Sequence, residues 1–415
     1  MNLRINQTRC LGLFAALSLI GAASQAQFAL NDIGLLPGGT TCSGVGVNSN
    51  GTAVAHCDDS QGRTLTVRKP PGQPFQLMLS VAQNTCRAVA INPLNTVSAN
   101  CVGDRGETVP VRWMNSGNRV LLSPLPGLLG LLPDLSARGG AINDTDWIVG
   151  TSMANNGSIR PVVWPPGPAN PVNPEMLPVP NLLTHGFDAV ACRPAGVENT
   201  AVASNGPLIV GNCSVNVNGD EKLKVVRWQR NAGGAYAVTV LDTFPNIDSN
   251  CTAVAIADGG AVAGNCTGPS DEPQAVYWAG GGTALTSIAP MIPGGSARST
   301  VSAMLGDLVV GSFRTSSGFE HAYFWQAPNL SFVDIGVLPG GFNSRATGIF
   351  VAGFIPAVVG ISEVGGGASH AFAWAGTIYD LGTLGGPNSK AIATGGPRFI
   401  GTSHVANGQE HAFIN

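Results

Sequence analysis

The chain has 415 residues, 44% hydrophobic and only 11% charged, with a net charge of −3. That much apolar side chain excludes a disordered chain, and the absence of like-charge blocks gives no sign of a nucleic-acid partner. Its 56 glycines and 29 prolines interrupt every stretch long enough for a helix, which points to an all-β protein with many turns.

Arg4 and Arg9 precede an apolar run from Leu11 to Ile20, followed by Ser24-Gln25-Ala26. This is the pattern of a secretory signal peptide, residues 1–26, with a small-x-Ala cleavage site. The run is about half the roughly 20 residues a spanning helix needs, so no membrane span is expected. Cys10 lacks the context of a lipoprotein cleavage site and should leave with the signal. Residues 27–415 are then a single secreted domain, extracellular or periplasmic, expected to be a monomer.

From Phe28 onward the chain repeats one unit, seen most cleanly between Ser331 and Trp374. The unit holds four short apolar segments bounded by Gly, Pro and Asn, each the length of a β-strand. Its last segment ends at Trp113, Trp164, Trp228, Trp278, Trp325 and Trp374, with Lys69 and Asn415 in the equivalent places, giving eight copies. Their spacing matches the roughly 40 to 50 residues of a four-stranded propeller blade, and the segments are too short for an outer-membrane barrel.

We label the strands A (such as Cys86 to Asn92), B (Trp147 to Ser152), C (His321 to Trp325) and D (Thr377 to Leu384). Strand A carries small residues, among them Gly44, Gly46, Ala88 and Ala253, suited to crowding around an axis. The phase of the repeat is informative. The domain opens on a lone D strand, Phe28 to Gly34, and closes on a lone C strand, His411 to Asn415. Pairing these two completes an eight-bladed β-propeller and leaves no long edge exposed.

The motif D-L-G-x-L-G-G, with V-V-G-x-S and H-A-F-x-W, is clearest at Asp380 to Gly386, Val358 to Ser362 and His370 to Trp374. It resembles the HAF-repeat family of bacterial extracellular proteins, and is specific only in the last two or three copies. The resemblance implies a secreted, β-rich repeat protein and brings no activity with it.

Eight cysteines remain after the signal. Cys42 and Cys57, Cys86 and Cys101, and Cys251 and Cys266 occupy one pair of positions on strands A and B, and Cys192 and Cys213 occupy the same pair across a longer loop. Opposed residues on antiparallel strands lie within disulfide reach, so four intrablade disulfides are expected. No metal site or cofactor is expected. His321, His370 and His411 begin strand C of different blades, too far apart to share an ion. Asp32, Asp242, Asp334 and Asp380 recur at the end of strand D, and Asp144, Asp258 and Asp307 fall in A to B turns, so both sets read as structural.

Two functional readings follow. Strand A places Arg87, Arg138, Arg193, Arg298, Arg345 and Lys390 at one repeat position, with Ser43 and Thr252 in the other two copies. In a ring these form a collar of cations at one mouth, able to attract an anionic polysaccharide or protein partner, unless each pairs with the adjacent blade. The first reading is therefore a secreted, non-enzymatic binding or surface-interaction protein that also presents LPGG loops (Leu36 to Gly39, Leu338 to Gly341). The alternative is an extracellular carbohydrate-active lyase or hydrolase using the irregular fourth copy, where His185, Asp188, Arg193 and Glu198 gather in sequence as candidate acid and base.

Overall fold

The computed structural model describes residues 29–79, 85–127, 132–199, 206–217, 219–244, 249–292, 298–327, 330–353 and 355–415. The expected signal peptide lies outside them. The described strands form eight four-stranded antiparallel sheets, each running A-B-C-D in chain order except the last. In that last blade Asn31–Asp32 serves as strand D, pairing Asn31 with Ile414 and Asp32 with Phe413, so the chain's two ends close the ring.

The A strands are Cys42–Val47, Cys86–Ile91, Ser136–Ile142, Asp188–Val197, Cys251–Ile256, Ser299–Leu305, Ser344–Ala352 and Gly385–Gly395, for blades 1 to 8 in order. Each touches the A strand on either side of it, and the first touches the last, so together they surround the axis. Their side chains alternate. In blade 2, Cys86 and Ala88 are buried against the neighbouring blade while Arg87 and Val89 are exposed along the channel. Strand D is the ragged outer edge, as short as Gln76–Leu77 or Glu175–Met176.

Among the described residues the apolar core is divided between blades rather than gathered at the axis. Apolar clusters fill the eight gaps between blades, for example Phe350, Ala357 and Val359 of blade 7 against Ala391, Phe399 and Phe413 of blade 8. Because strands B and C are covered on both faces, they read as near-continuous apolar runs such as V-V-G and H-A-F-A-W rather than alternating ones. The tryptophan ending strand C ties blades together: Trp164, Trp228 and Trp278 are fully buried, and their indole N–H groups donate to the carbonyls of Ser123, Pro178 and Asp242 in the preceding blade.

The glycine of strand B is set by a close approach. A β-bulge in strand A turns the carbonyl of the collar residue inward, and a Cβ on Gly211 would meet the Arg193 oxygen at 2.6 Å and the Trp228 ring at 2.6 Å. Gly150, Gly264, Gly311, Gly360 and Gly401 meet the same carbonyl in their own blades. All four expected disulfides are present, each with Cα atoms 4.0 Å apart. In blades 7 and 8 the same rung pairs Ser344 with Ser362 and Ser389 with Ser403. There Ser362 and Ser403 accept hydrogen bonds from the N–H groups of Leu338 and Leu384 in the entering loop.

Candidate functional site

The mouth where the A strands begin carries cations that recur from blade to blade. Strand register places Arg87 opposite Asn100, Arg138 opposite Thr151, Arg193 opposite Asn212, Arg345 opposite Ile361 and Lys390 opposite Thr402, all on one rung. In blade 6 that rung belongs to Thr300, opposite Ser312, so Arg298 falls two residues earlier, just outside its strand. Five cations therefore share the position rather than six. Ser296-Ala297-Arg298 imitates Ser136-Ala137-Arg138 in sequence, but Ser299 is the residue that occupies the cystine rung.

All five cations are exposed, yet they differ in partners. Arg345 donates from Nη2 to Glu320 Oε2 of the preceding blade at 2.6 Å, an interblade pair. Arg298 lies 3.8 Å from Glu272 of its own preceding blade. Among the described residues, Arg87, Arg138, Arg193 and Lys390 have no carboxylate within ion-pair distance. Ser43 fills the rung in blade 1 and donates to Glu410 at 2.6 Å. The free cations thus form an arc over blades 8, 2, 3 and 4, with three of them on consecutive blades.

An amide staple on strand B ties some neighbouring A strands together. Asn100 Nδ2 donates to the Gly139 carbonyl and its Oδ1 accepts from the Gly139 N–H, both at 2.8 Å, fixing the next blade's strand beside Arg138. Asn212 and Asn265 make the equivalent bonds to Ala253 and Val301. In blade 1 the staple position is His56, opposite Ser43. Burial, and then the charge of nearby Arg87, hold this imidazole below the ordinary histidine value.

The recurrent histidines and aspartates, separate in the sequence reading, meet in the structure. His321 contacts Asp334 at 3.0 Å, His370 contacts Asp380 at 2.9 Å and His411 contacts Asp32 at 2.7 Å, each through Nδ1 across strands C and D of one blade. Each aspartate also accepts from the N–H two residues on, at Gly336, Gly382 and Gly34. H-A-F and D-x-G are two halves of one clasp on the strand edge. No group of three or more potential metal ligands occurs among the described residues.

The fourth copy does not assemble its candidate groups. Asp188 opens the ten-residue strand Asp188–Val197 and Glu198 follows it, roughly 30 Å away at about 3.3 Å per residue. His185 ends an exposed four-residue helix, Leu182–His185, and contacts Thr184, while Asp188 caps that turn by accepting from the Leu182 N–H. Glu198 is buried at the A to B turn, where it accepts from Leu208 and from Gly259 of blade 5. Burial pushes its carboxyl above the ordinary glutamate value. Asn48, Asn92 and Asn143 hold the same position in blades 1 to 3, and each likewise reaches the following blade.

Sequence reading missed three buried cations. Arg68, Arg112 and Arg227 occupy one place on strand C and donate to backbone carbonyls of the next blade's turns. Burial lowers the pKa of all three. The signal was present in Arg68-Lys69, Arg112-Trp113 and Arg227-Trp228, each just before or within the repeat marker.

The chain matches no protein-family profile and no curated protein sequence. Among solved structures it is similar to a puromycin hydrolase, at 13% identity and a TM-score of 0.50, over 90% of this chain and 58% of that one. A puromycin-hydrolyzing peptidase from Mycobacterium tuberculosis follows at 13% identity and 0.48, over 91% and 61%. The Aleuria aurantia lectin, at 11% identity and 0.30, is matched over 71% of this chain and 93% of the lectin. This chain spans about three fifths of the two hydrolases it matches, and the likeness shows the propeller fold alone. Among the described residues no helix is long and apolar enough to cross a membrane, a statement that leaves strands aside.

Proposed function

We propose that this is an exported, non-enzymatic binding protein that holds an acidic polysaccharide against one mouth of its channel. The observation that carries the reading is the rung shared by Arg87, Arg138 and Arg193 on three consecutive blades, all exposed and none paired with a carboxylate among the described residues. Packed sheets lie about 10 Å apart, so neighbouring cations fall near the roughly 8 Å screening length of physiological salt. A polymer with a charge on each residue can engage several cations at once, whereas a small monoanion reaches one. Lys390 extends the arc on the far side of Ser43. The four disulfides fit the oxidising compartment that export would provide.

Replacing Arg87, Arg138 and Arg193 together by Gln is the test, read by affinity for polygalacturonate across a salt series. Three exposed contacts at up to about 1 kcal/mol each give an expected loss of about tenfold or more at low salt, with a shallower salt dependence. Binding of a neutral glucan should not change. If the triple variant melts like the parent and binds polygalacturonate equally well, the arc is not the binding surface.

A further inference from the structure

A second site lies between blades 6 and 7, outside the blades that carry the free cations. It is a cleft of about 460 Å³ lined in part by Arg298, Arg314, Arg345, Glu320 and Asn343. That volume falls within the usual range for small-ligand pockets. Two of the three guanidinium groups have a carboxylate beside them: Arg345 shares Glu320 with Ser312, and Arg298 lies 3.8 Å from Glu272 at the rim. Arg314 has no carboxylate within ion-pair distance among the described residues and leaves the cleft with one uncompensated positive charge. Arg298 is 55% exposed and Arg314 is also exposed, tethered through its Nε to the Gly318 carbonyl. Hydroxyl groups of Thr300 and Ser302 complete a polar wall.

Beside the cleft stands a feature that packing does not explain. Phe319 and Phe342, from loops of adjacent blades, stack at 5.0 Å between centroids and 28° between planes while remaining 39% and 59% exposed. Each is one residue along the chain from residues that line the cleft, namely Gly318, Glu320 and Asn343. Both loops are held firmly. Glu363 accepts from the N–H groups of Phe342 and Asn343 and from the Asn343 amide, and Asn343 Oδ1 in turn accepts from the Glu320 N–H. Phe319 is fixed by its backbone bonds to Thr315. A rigid, solvent-facing aromatic platform next to a cationic, hydroxyl-lined cleft matches a ligand with a flat apolar face, several hydroxyls and one negative charge in each unit.

We propose that this cleft binds one uronate residue of an acidic oligosaccharide, with Arg298 and Arg314 at its carboxylate and the Phe319–Phe342 pair against the face of an adjoining sugar ring. It takes the polymer's chemical class from the reading above but stands on different residues. The arc supplies charge without shape, and the cleft supplies recognition of a single unit.

The test is calorimetric titration of the purified protein with trigalacturonate and, separately, maltotriose. The parent should bind trigalacturonate and bind maltotriose at least tenfold more weakly. Phe342→Ala should weaken trigalacturonate binding about tenfold, the loss expected of one aromatic contact, and Phe342→Tyr should restore it. Arg314→Gln should weaken it by about tenfold or more and narrow the gap to maltotriose. Arg87→Gln should lower affinity for the long polymer, while the loss of trigalacturonate binding caused by Phe342→Ala should be the same size with or without Arg87→Gln, which separates failure of the arc from failure of the cleft. No binding of trigalacturonate at millimolar concentration overturns the proposal, as does equal binding of maltotriose or unchanged affinity in folded Phe342→Ala and Arg314→Gln.

Discussion

Deleting residues 29–34 should damage this protein far more than trimming a chain end normally does. The deleted stretch is the outer strand of blade 8. Ile33 is 6% exposed and packs with Ala412 and Cys57, a burial contributing about 2 kcal/mol. Its N–H donates to the Ala412 carbonyl at 3.1 Å, and Asn31 and Asp32 pair with Ile414 and Phe413, so the lost backbone bonds add about 1 kcal/mol each. The His411 and Asp32 pair, partly exposed, adds less than about 1 kcal/mol. The total, about 4 to 6 kcal/mol, is comparable to the whole stability of many domains and also leaves the final C strand as an open edge. Urea and thermal unfolding of truncated and parent chains measure it, and Ile33→Ala, expected to cost about 2 kcal/mol or more, isolates the side-chain share. A truncated protein that melts within about 1 °C of the parent would refute closure of the ring through this strand.

Two further outcomes follow from the strand register. Gly211→Ala should cost about 2 to 3 kcal/mol in chemical denaturation, because its Cβ meets both the Arg193 carbonyl and Trp228, whereas Ala99→Gly, at the same rung of blade 2, should cost under about 1 kcal/mol. His56, with its folded pKa lowered by burial and then by Arg87, contributes stability that is complete above the ordinary value of 6.5 and is lost as pH falls from there toward the folded value. His56→Asn, which installs the residue used at 100, 212 and 265, should flatten that acidic decline in melting temperature, and an unchanged pH profile would count against the assignment.

The fold was legible because its signals are local and repeated. Turn residues at fixed intervals delimit the strands, and cysteine pairs fifteen apart, beginning at Cys42, Cys86 and Cys251, set the register of strands A and B. The surplus D strand at one end and surplus C strand at the other encode closure, since antiparallel pairing has one way to use both. Much less of the site could be read this way. Five of the six collar residues share one rung, but the two-residue displacement of Arg298 hinges on which serine takes the cystine rung, and Ser296 and Ser299 are equivalent until Ser299 pairs with Phe313.

What the sequence determines by itself, then, is the repeat, its phase and the rung on which each side chain sits, because these depend on strand periodicity and turn chemistry within some forty residues. Only the tertiary structure decides which charges meet. Whether Arg345 reaches Glu320 or Arg112 reaches the Asp146 carbonyl depends on contacts between blades. The stacking of Phe319 on Phe342 has the same origin. Those contacts are fixed by how neighbouring sheets twist and pack around the axis, and no local pattern of residues records that geometry.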